Sequence, residues 1–301
     1  MISGTTAAPD AATLRNAMTV DVEDWFQVQA FASVIPREAW EGKERRVVES
    51  TERVLTLFAG AGVRATFFTL GWVAERHPSL VRRILAEGHE LASHGYGHAP
   101  VTELGPEIFR RDIRRAKRIL EDIGGIEVTG YRAPTFSISR AATPWAHRIL
   151  AEEGHRYSSS VFPGRHAARG KGAGAAALEP WHADGVLEIP MTVLRSPLRD
   201  LPLSGGGWFR MTPYAVFRAG LARVNAQGRR GVFYFHPWEV DPGQPRVEEA
   251  PQLAKLRHYT GLATMERRLA ALLRHFPWGR MDEIFAAEIG GGTAHGSRLA
   301  A

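Results

Sequence analysis

Residues 63–98 read VRATFFTLGWVAERHPSLVRRILAEGHELASHGYGH, and this stretch decides the fold. Val63 to Leu70, rich in β-branched and aromatic residues, predicts a strand. Pro78 stands where the first turn of a helix accepts proline; Leu80, Ile84 and Leu85 follow at helical spacing, and Gly88 closes the segment. A second short strand then runs into His94. Outward from this unit the same alternation continues, which argues for an α/β architecture with a mainly parallel sheet.

Upstream, Met18 to Asp21 is the first strand, and a helix follows in which Val47, Thr51, Val54, Leu55 and Phe58 recur before Gly60 and Gly62. Downstream, Phe109, Ile113, Ala116, Leu120 and Ile123 give a helix with one buried face, and Tyr131 ends the strand after it. Thr143-Pro144 and Thr212-Pro213 read as capped helix starts leading to Trp145, Ile149 and Leu150, and to Phe217, Leu221 and Val224. Leu187, Ile189, Met191 and Val193 alternate as in a strand, Val232 to Phe235 is another, and a helix with Met265, Leu269, Leu272 and Phe276 ends the ordered core. The expected organisation is a disordered segment 1–15, one barrel-sized domain 16–289, and a disordered tail 290–301. Gly164 to Ala177, rich in Gly, Ala and basic residues, reads as a flexible surface insertion: no strand leads into it, and no Gly-Lys-Ser/Thr makes it a phosphate loop.

Of the 301 residues, 44% are hydrophobic and 23% charged, the composition of a globular chain, and no apolar run reaches the roughly 18 residues of a membrane span. MISGTTAAPDAATLRNAM lacks a basic n-region and an apolar h-region, so the expectation is a cytoplasmic protein without an integral membrane segment. With no cysteine, thiolate ligands and disulfides are excluded, and any metal must be held by His, Asp or Glu. The net charge of +6 favours anionic partners, but no nucleic-acid-reading motif accompanies it, so no nucleic acid is expected. The oligomeric state is not legible.

The chemistry gathers where strands should end, the side on which parallel barrels carry their sites. His94 and His98, separated by three residues of which two are glycines, can meet on one metal, although a hydrogen-bonded surface pair has the same spacing. Asp21, Glu23 and Asp24 follow the first strand, where a lone acid is ordinarily a helix cap. Arg132, Ser158 to Ser160 and His236 each follow a later strand.

Five segments in this order resemble the NodB-like polysaccharide deacetylases, carbohydrate esterase family 4. They are Thr19-Val20-Asp21-Val22-Glu23-Asp24, His94 to His98, Arg132-Ala133-Pro134, Tyr157-Ser158-Ser159-Ser160 and Phe235-His236, and they span most of the chain. DVEDWFQV, RAPTFS and FHPWEVDPGQPR are most similar to the branch associated with bacterial exopolysaccharide and exosortase loci. The resemblance implies a distorted (β/α)7 barrel and hydrolysis of an N-acetyl group on a hexosamine unit of a polysaccharide or oligosaccharide.

It also implies roles. One divalent cation, zinc or alternatively cobalt, would be held by His94, His98 and a carboxylate. Asp21 would be the general base, oriented and kept ionised by Arg132; the Thr135 N–H would stabilise the oxyanion, and His236 would protonate the leaving amine. Tyr131, Pro134, Ser159, Trp208 and Trp238 would meet the substrate, although for the tryptophans a buried aromatic is an equal explanation. The family's usual paired aspartates are interrupted here by Val22. Glu23 is the first candidate for the third ligand, because alternate strand residues share a face, and a backbone bulge would bring in Asp24 instead. Ser158 stands where an Asp is usual, and Thr135 replaces an aromatic residue. An allantoinase-like cyclic-amide hydrolase and a non-catalytic glycan-binding protein are the competing readings; intact His94 and His98 weigh against the first, and intact Asp21, Arg132 and His236 against the second.

Overall fold

The computed structural model describes residues 14–163, 178–196 and 200–291. The expected insertion 164–177, residues 1–13 of the N-terminal segment and residues 292–301 of the tail lie outside the described residues.

The strands are β1 (Asn16–Val22), β2 (Thr66–Thr69), β3 (Glu90–Ser93), β4 (Gly130–Tyr131), β5 (Tyr157–Ser158), β6 (Trp181–Ala183), β7 (Val186–Glu188), β8 (Val193–Leu194), β9 (Leu201–Pro202), β10 (Val232–Phe235) and β11 (Trp278–Gly279). The main sheet runs β10-β1-β2-β3-β4-β5-β7-β6; neighbours from β10 to β7 are parallel, β6 is antiparallel, and β11 joins β1 beside β10. Those seven parallel strands curl into a half-barrel whose backbone ladder leaves a gap between β7 and β10. The Thr192 hydroxyl bridges it, accepting the Val232 N–H at 2.6 Å and donating to the Val232 carbonyl at 3.1 Å. The distorted barrel expected from the resemblance is the fold found.

β1 is buried at all seven positions, as a central strand covered on both faces must be. Helix Val47–Ala61 turns Val54, Leu55 and Phe58 inward and ends on left-handed Gly62 (φ 64°). Phe58 meets Phe67 of β2 and Phe235 of β10 edge-on, and burying each such ring contributes roughly 1.5–3 kcal/mol. Helix Pro106–Gly124 packs Phe109, Ile113, Ala116 and Leu120 on the other flank.

Several boundaries differ from the sequence reading. Thr143 does not cap a helix: its hydroxyl accepts the Ser139 N–H and donates to the Ser139 carbonyl, and the helix begins at Ala146. Thr212 makes no cap either, since Pro213 occupies the N-cap position of helix Tyr214–Ala226 without a side-chain bond. The alternation 187–193 is broken between β7 and β8, because β8 turns away to pair antiparallel with β9. The ordered structure continues past Phe276: Trp278 pairs with Asn16, and helix Ala286–Gly291 takes in residues 290–291. At the other end the Arg15 guanidinium already bonds the Trp278 carbonyl. Residues 23–46 carry no regular period, yet Phe26, Phe31, Ile35 and Trp40 are buried there, and Trp40 meets Trp72 at 5.6 Å.

Candidate active site

Asp21, His94, Arg132, Ser159 and His236 all lie at or just beyond the C-terminal ends of β1, β3, β4, β5 and β10. Parallel pairing brings these ends together: Asp21 is level with Phe68, Ser93 with Tyr131, and Tyr131 with Ser158.

The Glu23, His94 and His98 ligand atoms lie within 4.8 Å of one another, all three residues buried. β1 stops at Val22, and the Glu23 N–H turns back onto the Asp21 carbonyl at 3.1 Å, so a tight turn past the strand carries Glu23 to the histidines. His94 Nδ1 lies 2.8 Å from the Arg132 carbonyl, which can only accept; Nδ1 therefore carries the proton and Nε2 keeps its lone pair. Burial pushes the His94 imidazole down to about 4, favouring the neutral, ligating form. His98 is held at φ 54°, a strained conformation for a residue with a side chain.

The donor set fits a divalent cation. Glu23 Oε2 is buried without a hydrogen-bond donor, 2.7 Å from His98 Nε2, while Oε1 accepts from Trp238 Nε1 at 3.3 Å. An orphan carboxylate oxygen facing an imidazole nitrogen calls for a positive centre between them. Burial would raise the Glu23 carboxyl, but the His98, His236 and His94 imidazoles outweigh it and hold it near 2.

Asp24 lies elsewhere. Its Oδ2 accepts the N–H groups of Arg46 and Val47 at 2.9 and 3.0 Å, and its Oδ1 that of Trp25, so it caps the helix Val47–Ala61. Its alternative role as a ligand is not supported, because both oxygens are committed to backbone donors.

Arg132 is wholly buried. Nη1 donates to Asp21 Oδ1 at 2.6 Å and Thr19 Oγ1 at 2.7 Å; Nε and Nη2 donate to the Ser159 carbonyl and hydroxyl, each at 3.1 Å. The guanidinium carbon lies 4.1 Å from the centre of the Phe68 ring. Ser159 thus anchors Arg132 instead of lining a groove, and Ser158 is buried against Ser160 at 2.8 Å.

His236 is the most exposed of these groups, at 21% of its side chain. Its Nδ1 lies 3.0 Å from Glu239 Oε1, which also accepts the His236 N–H, and Nε2 lies 3.5 Å from Glu23 Oε1. Glu239 Oε2 takes the Arg210 Nε–H at 2.7 Å, both side chains being buried. Burial would lower the His236 imidazole, but Glu23 and Glu239 outweigh it and raise it to about 9. Glu239, against burial, is held near 2 by Arg210 and His236. The sequence reading missed Glu239 and Arg210; Glu239 stands in the quoted FHPWE, three residues after His236, where a capping box would have revealed it.

The expected substrate contacts divide. Trp208 is 49% exposed on helix Gly206–Met211. Trp238 is not available for stacking on a sugar, since His236 (5.1 Å) and His258 (4.1 Å) both lie nearly parallel to its ring and it is 6% exposed. Tyr131 is 1% exposed and packs on Phe109, and Pro134 is buried, so neither side chain reaches a ligand surface. Thr135 is exposed in left-handed conformation (φ 57°) between these elements.

The comparisons bear on this geometry. Residues 41–154 match the family model described as "Polysaccharide deacetylase", and residues 159–286 match "Domain of unknown function (DUF3473)". A peptidoglycan-N-acetylglucosamine deacetylase of Bacillus cereus is 32% identical over 99 residues, 33% of this chain and 36% of its own length. A chitooligosaccharide deacetylase of Sinorhizobium fredii is 37% identical over 103 residues, 33% of this chain and 44% of its own. These matches support the polysaccharide deacetylase (NodB/CE4) family.

The chain spans less than half the length of these curated relatives. Among solved structures, a putative polysaccharide deacetylase from Mycobacterium smegmatis superposes at TM-score 0.61 with 21% identity, covering 95% of this chain and 93% of its own. PuuE allantoinase superposes at 0.58 with 17% identity, covering 93% and 92%. Both likenesses establish the fold alone, so the chemistry rests on the side chains. Among the described residues, no helix is long and apolar enough to cross a membrane.

Proposed function

We propose that this chain is a metal-dependent N-deacetylase acting on N-acetylglucosamine-type hexosamine units of a polysaccharide or oligosaccharide, within one barrel domain spanning 16–289. The observation that carries the reading is the convergence of Glu23, His94 and His98 within 4.8 Å of one another, beside the buried Asp21–Arg132 pair. The names of the curated relatives, a peptidoglycan-N-acetylglucosamine deacetylase and a chitooligosaccharide deacetylase, support the substrate class. The motif spellings DVEDWFQV and FHPWEVDPGQPR support the exopolysaccharide branch.

A divalent cation at Glu23, His94 and His98, zinc or alternatively cobalt by its nitrogen and oxygen donors, would supply a Lewis acid that polarises the amide carbonyl and acidifies water. Asp21, anchored by Arg132, takes the proton from the attacking water. The Thr135 N–H, presented by the turn after Pro134, donates to the oxygen on which charge develops. His236 donates a proton through Nε2 to the nitrogen as the C–N bond breaks, releasing acetate and a free amine; Glu239 fixes the ring through Nδ1. Trp208 offers its exposed ring to a sugar face.

The test is acetate release from an N-acetylglucosamine oligomer, abolished by a chelator and restored by zinc or cobalt. Absence of release from the metal-reconstituted protein on neutral and acidic oligomers alike would overturn the reading.

A further inference from the structure

Trp238 touches both the candidate ligand Glu23 and the candidate acid His236. Its indole N–H donates to Glu23 Oε1 at 3.3 Å, and its ring centre lies 5.1 Å from that of the His236 imidazole, 12° from parallel. His236 Nε2 stands 3.5 Å from the same Oε1 and makes no hydrogen bond to it, so two ring nitrogens face one carboxylate oxygen and the indole holds it. An indole N–H can only donate. With Oε1 occupied in this way, Oε2 is the oxygen left facing His98, where a cation belongs, and His236 Nε2 is left for the nitrogen of a substrate.

What holds Trp238 in this place comes from later in the chain. Gln244 Nε2 donates to the Trp238 carbonyl at 2.8 Å and the Asp241 carbonyl at 2.9 Å. Two carbonyls can only accept, which fixes the amide with Oε1 toward His258 Nε2, 2.6 Å away, and puts the His258 proton on Nε2. The His258 ring is thereby locked 4.1 Å from the indole, 12° from parallel. Gln244 and His258 are both buried, so water does not compete for these bonds. Arg210 ties the same segment to the partner of His236: it donates to Glu239 Oε2 and to the carbonyls of Arg257 and His258. Arg210, Gln244 and His258 all fall within residues 159–286, the stretch whose family description gives no function.

We propose that Trp238 is a positioning residue for the Glu23 carboxylate and that Gln244 and His258 form the clamp that holds it, so that this later part of the chain completes the metal centre at the ends of β1 and β3. The inference rests on the metal-dependent reading and deepens it. Trp238 acts through the carboxylate and not through contact with a sugar, since it is buried. A ligating carboxylate that has lost its orienting donor must be ordered by the ion itself, and the loss of such a donor weakens metal binding by about 10–100-fold. Without the indole N–H, Oε1 is also open to the His236 Nε2–H, which would join the proton donor to the metal ligand.

The experiment uses the full chain, with zinc affinity measured by calorimetry, the visible absorption band of the cobalt-loaded protein, and acetate release from an N-acetylglucosamine oligomer. Trp238→Phe keeps a flat ring beside His258 and removes the N–H; His258→Leu keeps bulk and removes the bond to Gln244. Trp278→Phe is the control: Trp278 is also buried, its N–H bonds the Leu272 carbonyl at 3.1 Å, and it pairs with Asn16 at the opposite end of β1. The expected result is zinc affinity lower by about 10–100-fold in Trp238→Phe and about tenfold in His258→Leu, an altered cobalt band in both, kcat lowered with KM little changed, and all of these unchanged in Trp278→Phe. Zinc affinity and cobalt band unchanged in Trp238→Phe or in His258→Leu, or an equal loss in Trp278→Phe, overturns the clamp while leaving the metal centre intact. If Trp238→Phe does not fold, His258→Leu decides by the same measurements. A wild type that binds neither ion overturns the clamp and the metal centre together. Weakened metal binding in both variants with no acetate released by the wild type upholds the clamp and overturns the deacetylase reading.

Discussion

Replacing Arg132 by Met tests the buried charge pair on which the site is built. Arg132 is completely buried and Asp21 is 2% exposed, so removing the cation leaves a carboxylate in a dry interior. Breaking one side of a buried pair costs about 3–5 kcal/mol, and the two bonds to Ser159 add about 1 kcal/mol each. Met fills much of the volume over Phe68, so the cavity contribution stays small. The expected loss is therefore about 5–7 kcal/mol, a large fraction of the roughly 5–15 kcal/mol that folds such a chain.

Asp21→Asn keeps an acceptor for the Arg132 Nη1 but leaves the buried guanidinium without its counter-charge, so it too breaks one side of the pair, at an expected cost of about 3 kcal/mol. In the double variant neither charge of the pair remains to be left uncompensated, so the two changes together should cost at least about 2 kcal/mol less than their sum. Urea unfolding in the presence of a chelator measures all three without interference from a bound ion. A single-variant loss below about 1 kcal/mol, or strict additivity in the cycle, would refute the account of Arg132 as the counter-charge of Asp21.

Glu23→Gln should lose calorimetric zinc binding, as should His94→Ala and His98→Ala; Asp24→Asn should keep it and instead cost about 1 kcal/mol of stability through the weakened helix cap, and the reverse pattern would reassign the ligand. Glu239→Gln removes the charge that orients His236 and should lower kcat by about 10–100-fold with KM little changed; an unaltered kcat would exclude His236 as the proton donor. His155 and His258 are both buried, and burial lowers each imidazole from 6.5 to about 3. The unfolded chain therefore binds more protons between pH 6.5 and 3, and stability present above 6.5 is lost as pH falls through that window, by about 1.4 kcal/mol per pH unit for each group. Unfolding free energies of the wild type and of His155→Gln, compared at pH 7 and 4.5, check this: the variant should show the shallower decline.

Local signals in the chain were enough for the parallel α/β pattern, because strand and helix periods are short-range and glycines such as Gly62 and Gly88 punctuate them on their own. The residues of the candidate site were legible for a related reason: each stands at the end of a strand, and the resemblance of five short motifs survives without knowledge of how they meet. Asp21, His94, His98 and His236 were placed this way, and Glu23 was put before Asp24 by strand alternation, although a turn after Val22 is what brings it to the histidines. Packing decided the remainder. Whether an exposed-looking aromatic is a sugar platform or a wall depends on what covers its faces, and Trp238 is covered by His258, twenty residues away. Whether Ser159 meets substrate depends on Arg132, which takes both of its oxygens. The partners of His236 depend on contacts between Glu239 and Arg210 that no periodicity encodes. Residue types and spacing set which groups stand at the strand ends; only folding, by removing water and bringing distant segments within hydrogen-bond range, determines which of them are spent on one another and which remain for a ligand.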